Sequence, residues 1–185
     1  MKELVDYSGP FRPDLTFEDF SKEFLLKLMR VWQYAWLHMA AAWFDLVKER
    51  YGSQEACELD RMAWVRVGEK VNPRYARIAN IELNTVLDSM KCLQLPLDNT
   101  TGGIFPVEYD IRDENHVIVT IKRCPALEDM EKNSPELIEP RCCVTTMEVN
   151  KRYVVNPRVK VGALKLPPRS SPAEIACQWE YTLEP

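Results

Sequence analysis

The six cysteines are the residues of this chain whose chemistry is most open: Cys57, Cys92, Cys124, Cys142, Cys143 and Cys177. Cys124 precedes Pro125, so a short helix that begins at the proline would place the thiol at its N-cap. There, backbone N–H groups and the helix dipole favour a thiolate with a lowered pKa. The nearby carboxylates of Glu128, Asp129 and Glu131 favour the neutral thiol instead. A reactive nucleophile and an inert, half-buried cysteine therefore both fit the pattern.

The other cysteines give weaker signals. Cys177 falls on the apolar face of a predicted strand, so it points at a core or at a pocket. Cys142 and Cys143 are adjacent, so one of them must face away from the other. The chain has no CxxC pair and no cysteine at short spacing from a histidine, which are the usual marks of a zinc site. We therefore predict no metal site and no cofactor.

One histidine could serve as a general base. His38 falls in the middle of an apolar helical stretch, while Glu58 and Asp60 lie on the next predicted helix. If the two helices pack together, an imidazole and one or two carboxylates share a cavity, which is the arrangement of a general base or a polar ligand contact. A core histidine beside a solvated acidic face fits the same residues.

Tryptophans are the candidate walls of a ligand pocket. Trp43, Trp64 and Trp179 lie on elements that we expect to face one another, and aromatic side chains commonly line apolar pockets. Aromatic residues at helical spacing also commonly fill a core. The sequence lacks the GxSxG, P-loop, GxGxxG and HExxH motifs, so serine esterase, NTPase, dinucleotide-binding and zincin activities lose their usual support.

Charge and hydropathy exclude further classes. The 185 residues carry 24 Lys plus Arg against 28 Asp plus Glu, a net charge of −4 without a basic stripe, so we expect no nucleic-acid binding. The longest uncharged stretch, Val31 to Phe44, is shorter than the roughly 20 residues that span a bilayer. The first residues lack the pattern of a signal peptide. We predict a cytoplasmic protein with reduced thiols and no membrane partner.

The elements that must position these residues change type near Pro96. Residues 1–16 are predicted to form an extended arm, and its aromatic side chains Tyr7 and Phe11 suggest that the arm packs against another part of the protein. A long helix follows from about Phe17 to Tyr51 and ends at Gly52; it is either the central helix of the fold or an oligomer interface. Two further helices are predicted, the first capped by Ser53 and ending near Val71, the second opened by Asn72 and Pro73 and ending near Leu95.

After a loop from Pro96 the hydrophobic period falls to two residues. Alternation over 105–111 and 117–121 predicts an antiparallel hairpin, with a turn at 113–115. A short helix follows Pro125, and Thr145 with Glu148 has capping-box spacing for another, through about Val155. Val159–Leu166 and Ile175–Leu183 complete about four strands, with a bulge at Gly162. We predict one α+β domain over 1–185, helical over 1–95 and containing the sheet over 96–185.

Four segments resemble an uncharacterised prokaryotic family: SGPFRPDL, LVKERYG, ACELDRMAW and NPRVKVGALKLPPRSSPAEIACQWEYTLE. That family is distantly similar to L-2-amino-thiazoline-4-carboxylic acid hydrolases and to 4-vinyl reductase-type ligand-binding domains. The resemblance implies helices packed on an antiparallel sheet around a small-molecule cavity. It also implies recurring cysteines at Cys124, at Cys142 or Cys143, and at Cys177. Where such relatives are expected to carry an acid just after His38, this chain has Met39 and three alanines, which favours binding over turnover.

These observations predict a protein that binds a small molecule between helices and sheet. The alternative is a thiol-dependent hydrolase of a small cyclic amidine or amide, with Cys124 or Cys177 as nucleophile and His38 as base. A scaffolding protein without a ligand is the third class. The first helix carries more apolar surface than a chain of this size easily covers, so we also expect a homo-oligomer, most simply a dimer.

Overall fold

The computed structural model describes residues 3–96 and 105–183 and has the predicted α+β architecture. Most of the loop predicted after Pro96 lies outside the described residues. The helices and strands follow one another in the order α1 (Lys22–Tyr51), α2 (Ser53–Ile78), α3 (Val86–Gln94), β1 (Val107–Asp113), β2 (His116–Ile121), α4 (Pro125–Asn133), a π-helical segment (Glu139–Thr145), α5 (Thr146–Tyr153), β3 (Val159–Lys165) and β4 (Cys177–Leu183). Short 3-10 turns occupy Phe17–Asp19 and Pro135–Leu137.

The sheet is antiparallel throughout, as the alternation predicts, with strand order β1-β2-β4-β3. Val117 pairs with Tyr181 and Val119 with Trp179, so their side chains stack on one face of the two central strands. Val86 of α3 packs against this face. The irregularity in β3 lies between Ala163 and Lys165 rather than at Gly162, because the register is set by pairing with β4.

The contacts group the chain into two compact units, Met1–Trp43 and Phe44–Pro185. In the first unit the N-terminal arm packs on the start of α1, where Tyr7 meets Phe20 edge-on at 6.2 Å and Phe20 stacks on Phe24 at 4.6 Å. The expected packing of Tyr7 is thus confirmed. The same expectation for Phe11 is wrong, because that side chain is 83% exposed.

The second unit has two buried clusters of apolar side chains. One joins Phe44 and Val47, at the end of α1, to Leu127 of α4 and Ile138 just before the π-helical segment. The other is the inner face of the sheet. The interpretation of α1 as a central buried helix is wrong, since these two residues are its buried ones. No helix in the described ranges combines the length and apolarity that a membrane crossing requires.

Helix α2 does not end near Val71 as predicted but continues through Asn72 and Pro73 to Ile78. Asn72 does not cap a third helix; it is buried, and its Nδ2 donates to the Tyr153 carbonyl oxygen at 2.8 Å. Packing against α5 therefore offsets the backbone hydrogen bond that proline removes. The third helix begins later, at a capping box formed by Thr85 and Asp88.

The close approach of α2 and α5 depends on Gly68. A Cβ added there would lie 2.2 Å from Cε1 of Tyr153. We expect Gly68→Ala to destabilise the fold by about 1–3 kcal/mol through overpacking, despite the roughly 1 kcal/mol by which alanine exceeds glycine in helix propensity. Urea unfolding measures the change. The matched control is Gly162→Ala, because a Cβ there meets nothing within 4 Å. If Gly68→Ala unfolds no earlier than the wild type, the helices are not held this closely.

Candidate functional site

The π-helical segment Glu139–Thr145 is the element that positions the candidate site. Pro140 lies in its first turn, and the hydroxyl groups of Thr145 and Thr146 donate to the carbonyl oxygens of Pro140 and Arg141 at 3.1 and 2.9 Å. Both bonds span five residues, which is the spacing of a π-helix. The predicted capping box at Thr145 therefore does not form, since its hydroxyl is used within the segment. Such segments are frequent at functional sites.

An ion pair connects this segment to α2. The Arg141 guanidinium lies 3.5 Å from Asp60 Oδ2, and its Cζ lies 4.2 Å from the centroid of the Phe44 ring. The second carboxylate oxygen of Asp60 accepts a hydrogen bond from Trp64 Nε1 at 2.9 Å. Burial raises the pKa of Asp60, while the charge of Arg141 and the bond from Trp64 oppose that rise. Asp60 is thus held by two partners within the fold.

A groove of about 530 Å³ lies between the N-terminal turns of α2 and the segment that follows α4. Its walls mix apolar side chains with carboxylates and one arginine: Ser53, Gln54, Glu55, Cys57, Glu58, Arg61, Glu136, Leu137, Pro140, Val144 and Thr145. Arg61 donates to Glu58 Oε2 at 3.1 Å and also binds Glu148, so its charge is matched inside the groove. The carboxylates of Glu55 and Glu136 therefore leave the groove with excess negative charge.

On another side of the π-helical segment, three thiols come together. Cys142 lies close enough to Cys124 and Cys177 for the ionisation of either to affect its own. Burial is the main cause that raises the pKa of Cys142 to about 12 and that of Cys177 to about 11. Trp179 Nε1 donates to Cys177 Sγ at 3.2 Å and partly offsets this rise. All three are therefore neutral thiols at neutral pH, because the pKa of Cys124 is raised as well.

Cys124 occupies the predicted position at the N-cap of α4, with Pro125 as the first helical residue. The backbone N–H groups of Leu127 and Ala126 point at its sulfur and lower its pKa, although no cap hydrogen bond of ordinary geometry forms. Burial outweighs them and the net direction is upward. The interpretation with a lowered pKa is thus wrong, and the reason is desolvation of the thiolate.

The acidic neighbours of Cys124 are themselves paired. Glu128 accepts two bonds from Arg123, at 2.7 and 2.9 Å, and Glu131 accepts two from Arg169, at 2.7 and 2.8 Å. The Arg169 side chain is only 2% exposed, and its charge lowers the pKa of Cys124. The acidic run around the N-cap is therefore largely neutralised by arginines.

The remaining predicted residues are spread over the two units. His38 and Trp43 lie in the first, where both are exposed and the His38 ring lies against Tyr34 at a tilt of 51°, with centroids 3.9 Å apart. Trp179 is buried in the core of the sheet, at 2% exposure. Asp60 and Trp64, both candidates for a ligand cavity, are hydrogen-bonded to each other. A shared cavity of His38 with the α2 carboxylates stays a prediction.

Three arginines of the site escaped the sequence analysis: Arg61, Arg141 and Arg169. Their partners Glu148, Asp60 and Glu131 are distant in sequence, so no local pattern indicated them. Within residues 3–96 and 105–183, no group of three or more His, Cys, Asp and Glu side chains converges in a way that holds a metal ion.

Because the thiol pKa values are raised in the folded chain, the free energy of unfolding decreases at alkaline pH. In the unfolded chain Cys142 loses its proton near its ordinary pKa of 9.0, whereas in the folded chain it keeps the proton up to about 12. This contribution to stability is complete below pH 9 and is lost as the pH rises towards 12, by at most about 1.4 kcal/mol per pH unit for one thiol.

We therefore expect the free energy of unfolding to fall between pH 8.5 and 10.5, as the thiols lose their protons in the unfolded chain but keep them in the folded one. Cys142→Ala removes one titrating thiol and makes the fall shallower; guanidinium unfolding at each pH measures it. Cys143→Ala is the matched control, because its thiol lies in the same segment and is less buried. An unchanged slope in Cys142→Ala contradicts the burial of this thiol.

Similarity to known proteins extends over most of the chain. A model of a family of unknown function, DUF6125, matches residues 18–183, which include α1, the groove, the thiols and all four strands. No curated protein and no solved structure matches significantly. The match covers residues 18–43 of the first compact unit and nearly all of the second. The chain therefore belongs to the DUF6125 family of unknown function.

Proposed function

We propose that this protein binds a small molecule in the groove between α2 and the π-helical segment, as a cytoplasmic protein. The observation that carries the proposal is the groove itself. Its volume of about 530 Å³ lies within the roughly 300–1,000 Å³ typical of ligand pockets. It combines apolar walls with a few charged groups, which is the usual composition of a pocket that both binds and orients a ligand.

The charges of the groove favour a cationic ligand with an apolar body. The charge of Arg61 is matched by Glu58 and Glu148, so the carboxylates of Glu55 and Glu136 give the described lining an excess of negative charge. Lys48 lies 4.0 Å from Glu136, but at that distance the pair is weak and exposed. Leu137, Pro140 and Val144 offer apolar contact. An amine or amidinium on a small ring satisfies both features.

The distant resemblance to L-2-amino-thiazoline-4-carboxylic acid hydrolases supports only the cyclic amidine part of this ligand class, since the carboxylate of that substrate has no counterpart in it. The partly buried ion pair of Asp60 and Arg141 supports the wall of this groove without lining it. It ties the π-helical segment to α2, so that Pro140 and Thr145 stay opposite Glu58. Asp60 and Trp64 thereby act as positioning residues rather than as ligand contacts.

Filling the groove tests the proposal. The probe is benzamidine, an amidinium on an apolar ring, and its binding is measured by isothermal titration and by the shift in melting temperature. At 100 times the dissociation constant the stabilisation is about 2.7 kcal/mol, or roughly 5–10 °C for a chain of this size. We expect Val144→Trp, at an exposed wall of the groove, to weaken binding at least tenfold.

Leu164→Trp is the matched control, since Leu164 is exposed to a similar degree on β3 and does not line the groove. It should bind benzamidine like the wild type. Native mass spectrometry of the purified protein then shows whether a small molecule remains bound after purification. If benzamidine does not bind the wild type and no small molecule co-purifies, the proposal is wrong and the scaffolding alternative is favoured.

The hydrolase alternative has one observation in its favour, which is the convergence of Cys124, Cys142 and Cys177. A thiol nucleophile must first become a thiolate, and burial opposes this at all three positions. In this alternative Cys124 or Cys177 is the nucleophile and His38 is the base. The raised pKa values favour binding without turnover.

Alkylation separates the two functions. Because burial raises the pKa of Cys124, we expect iodoacetamide at pH 7.5 to label it at least tenfold more slowly than a free peptide thiol. It should still react before Cys57 and Cys92, which are 7% and 3% exposed. Peptide mapping after brief treatment measures all three. Labelling of Cys124 as fast as the free thiol favours the hydrolase instead.

A further inference from the structure

Helix α1 carries a stripe of large apolar side chains that are exposed. Their exposed fractions run from 37% to 67%, far above the level of a core residue. In chain order the stripe consists of Met29, Trp32, Trp36, Met39, Trp43 and Leu46. It is distinct from the face of the same helix that contributes the buried residues Phe44 and Val47. The stripe is therefore a surface feature and not part of the described core.

The spacing within this stripe alternates strictly between three and four residues. That is the a/d pattern of a helix that packs along its length on another helix, sustained here for about 26 Å. Between Met29 and Trp43 the positions that flank the seam carry Gln33, Ala35, Ala40 and Ala42, and no residue from 31 to 44 is charged. Small flanking side chains allow a second helix to approach closely, and nothing in the flanks repels an identical one.

The exposed area matches what a stable dimer requires. A large side chain offers about 150–250 Å², so six that are roughly half exposed present on the order of 500 Å² of apolar surface. A homodimer interface of standard size buries about 800 Å² per partner, of which about 65% is apolar. The stripe alone thus supplies about the apolar area of such an interface. It also reaches the upper end of the roughly 300–600 Å² found for the largest patch on monomers.

We infer that two copies of this chain associate through α1, with the Met29–Leu46 stripe of each copy packed on that of the other. A second copy supplies an identical heptad seam, and a two-fold axis brings the same stripe to both sides of the interface. The inference does not depend on the groove: it concerns a different surface and holds whether or not a ligand binds.

Light scattering after size exclusion tests the interface at about 10 μM. We expect the wild type at about twice the 21.5 kDa of one chain. Met39→Glu combined with Trp43→Glu places two unpaired carboxylates in each seam, and we expect at least a hundredfold weaker dimerisation and a monomer mass. Circular dichroism checks that helix content is unchanged, which is reasonable for residues 67% and 63% exposed.

Tyr34→Glu is the matched control, because Tyr34 is 62% exposed on the opposite side of the same helix. It should remain a dimer. A wild type of one chain's mass overturns the inference, and so does a double variant that still dimerises or a control that dissociates. A monomer that co-sediments with phosphatidylcholine vesicles also overturns it, since a lipid surface then covers the stripe. Benzamidine titration of the double variant keeps this outcome separate from that of the groove.

Discussion

The contacts of the Arg141 guanidinium hold the candidate site of the second unit together, because three elements meet around this group. It stacks on Phe44 at the end of α1, pairs with Asp60 of α2 and belongs to the π-helical segment itself. The Asp60 carboxylate is 10% exposed and the Arg141 side chain 30%, so removing the arginine leaves a nearly buried carboxylate without its counter-charge, which costs more than the loss of a surface ion pair. Residues of the π-helical segment line the groove, and Cys142 of the same segment belongs to the thiol cluster. The position of that segment therefore affects both.

The thiols illustrate a competition between a local and a global effect. A helix N-terminus stabilises a nearby negative charge by about 0.3–1 kcal/mol at an exposed site, whereas desolvation of a buried group shifts its pKa by up to several units. At Cys124 the backbone of α4 and the charge of Arg169 act in the first direction, and burial acts in the second and prevails. Cys124 thus lies at a helix N-cap, where reactive thiols occur, but its burial keeps it protonated like a cysteine of the core.

The groove beside α2 and the stripe on α1 have different chemical characters. The groove beside α2 is acidic and partly apolar, and it has the size of a small molecule. The stripe on α1 is apolar, without charge over its central length, and has the size of a protein interface. The core-like appearance of α1 in the sequence follows from these exposed apolar residues, because an apolar surface has the same composition as residues inside a fold.

The sequence by itself determined the elements whose signals are local. Alternating apolar residues placed the hairpin and β4, Gly52 marked the end of α1, and Pro125 marked the start of α4 with Cys124 as its cap. Each of these depends on neighbours within a few residues, which a pattern can register. The α+β class followed from the change of period near Pro96.

Only the tertiary structure decided the rest. Asn72 and Pro73 looked like a helix start, yet packing on Tyr153 carried α2 past them. The π-helical segment had no sequence signature, and its arginine found Asp60 some 80 residues away in the chain. Whether a thiol ionises or an apolar helix is covered depends on what surrounds it in space. Burial is a property of the folded chain, and no window of the sequence contains it.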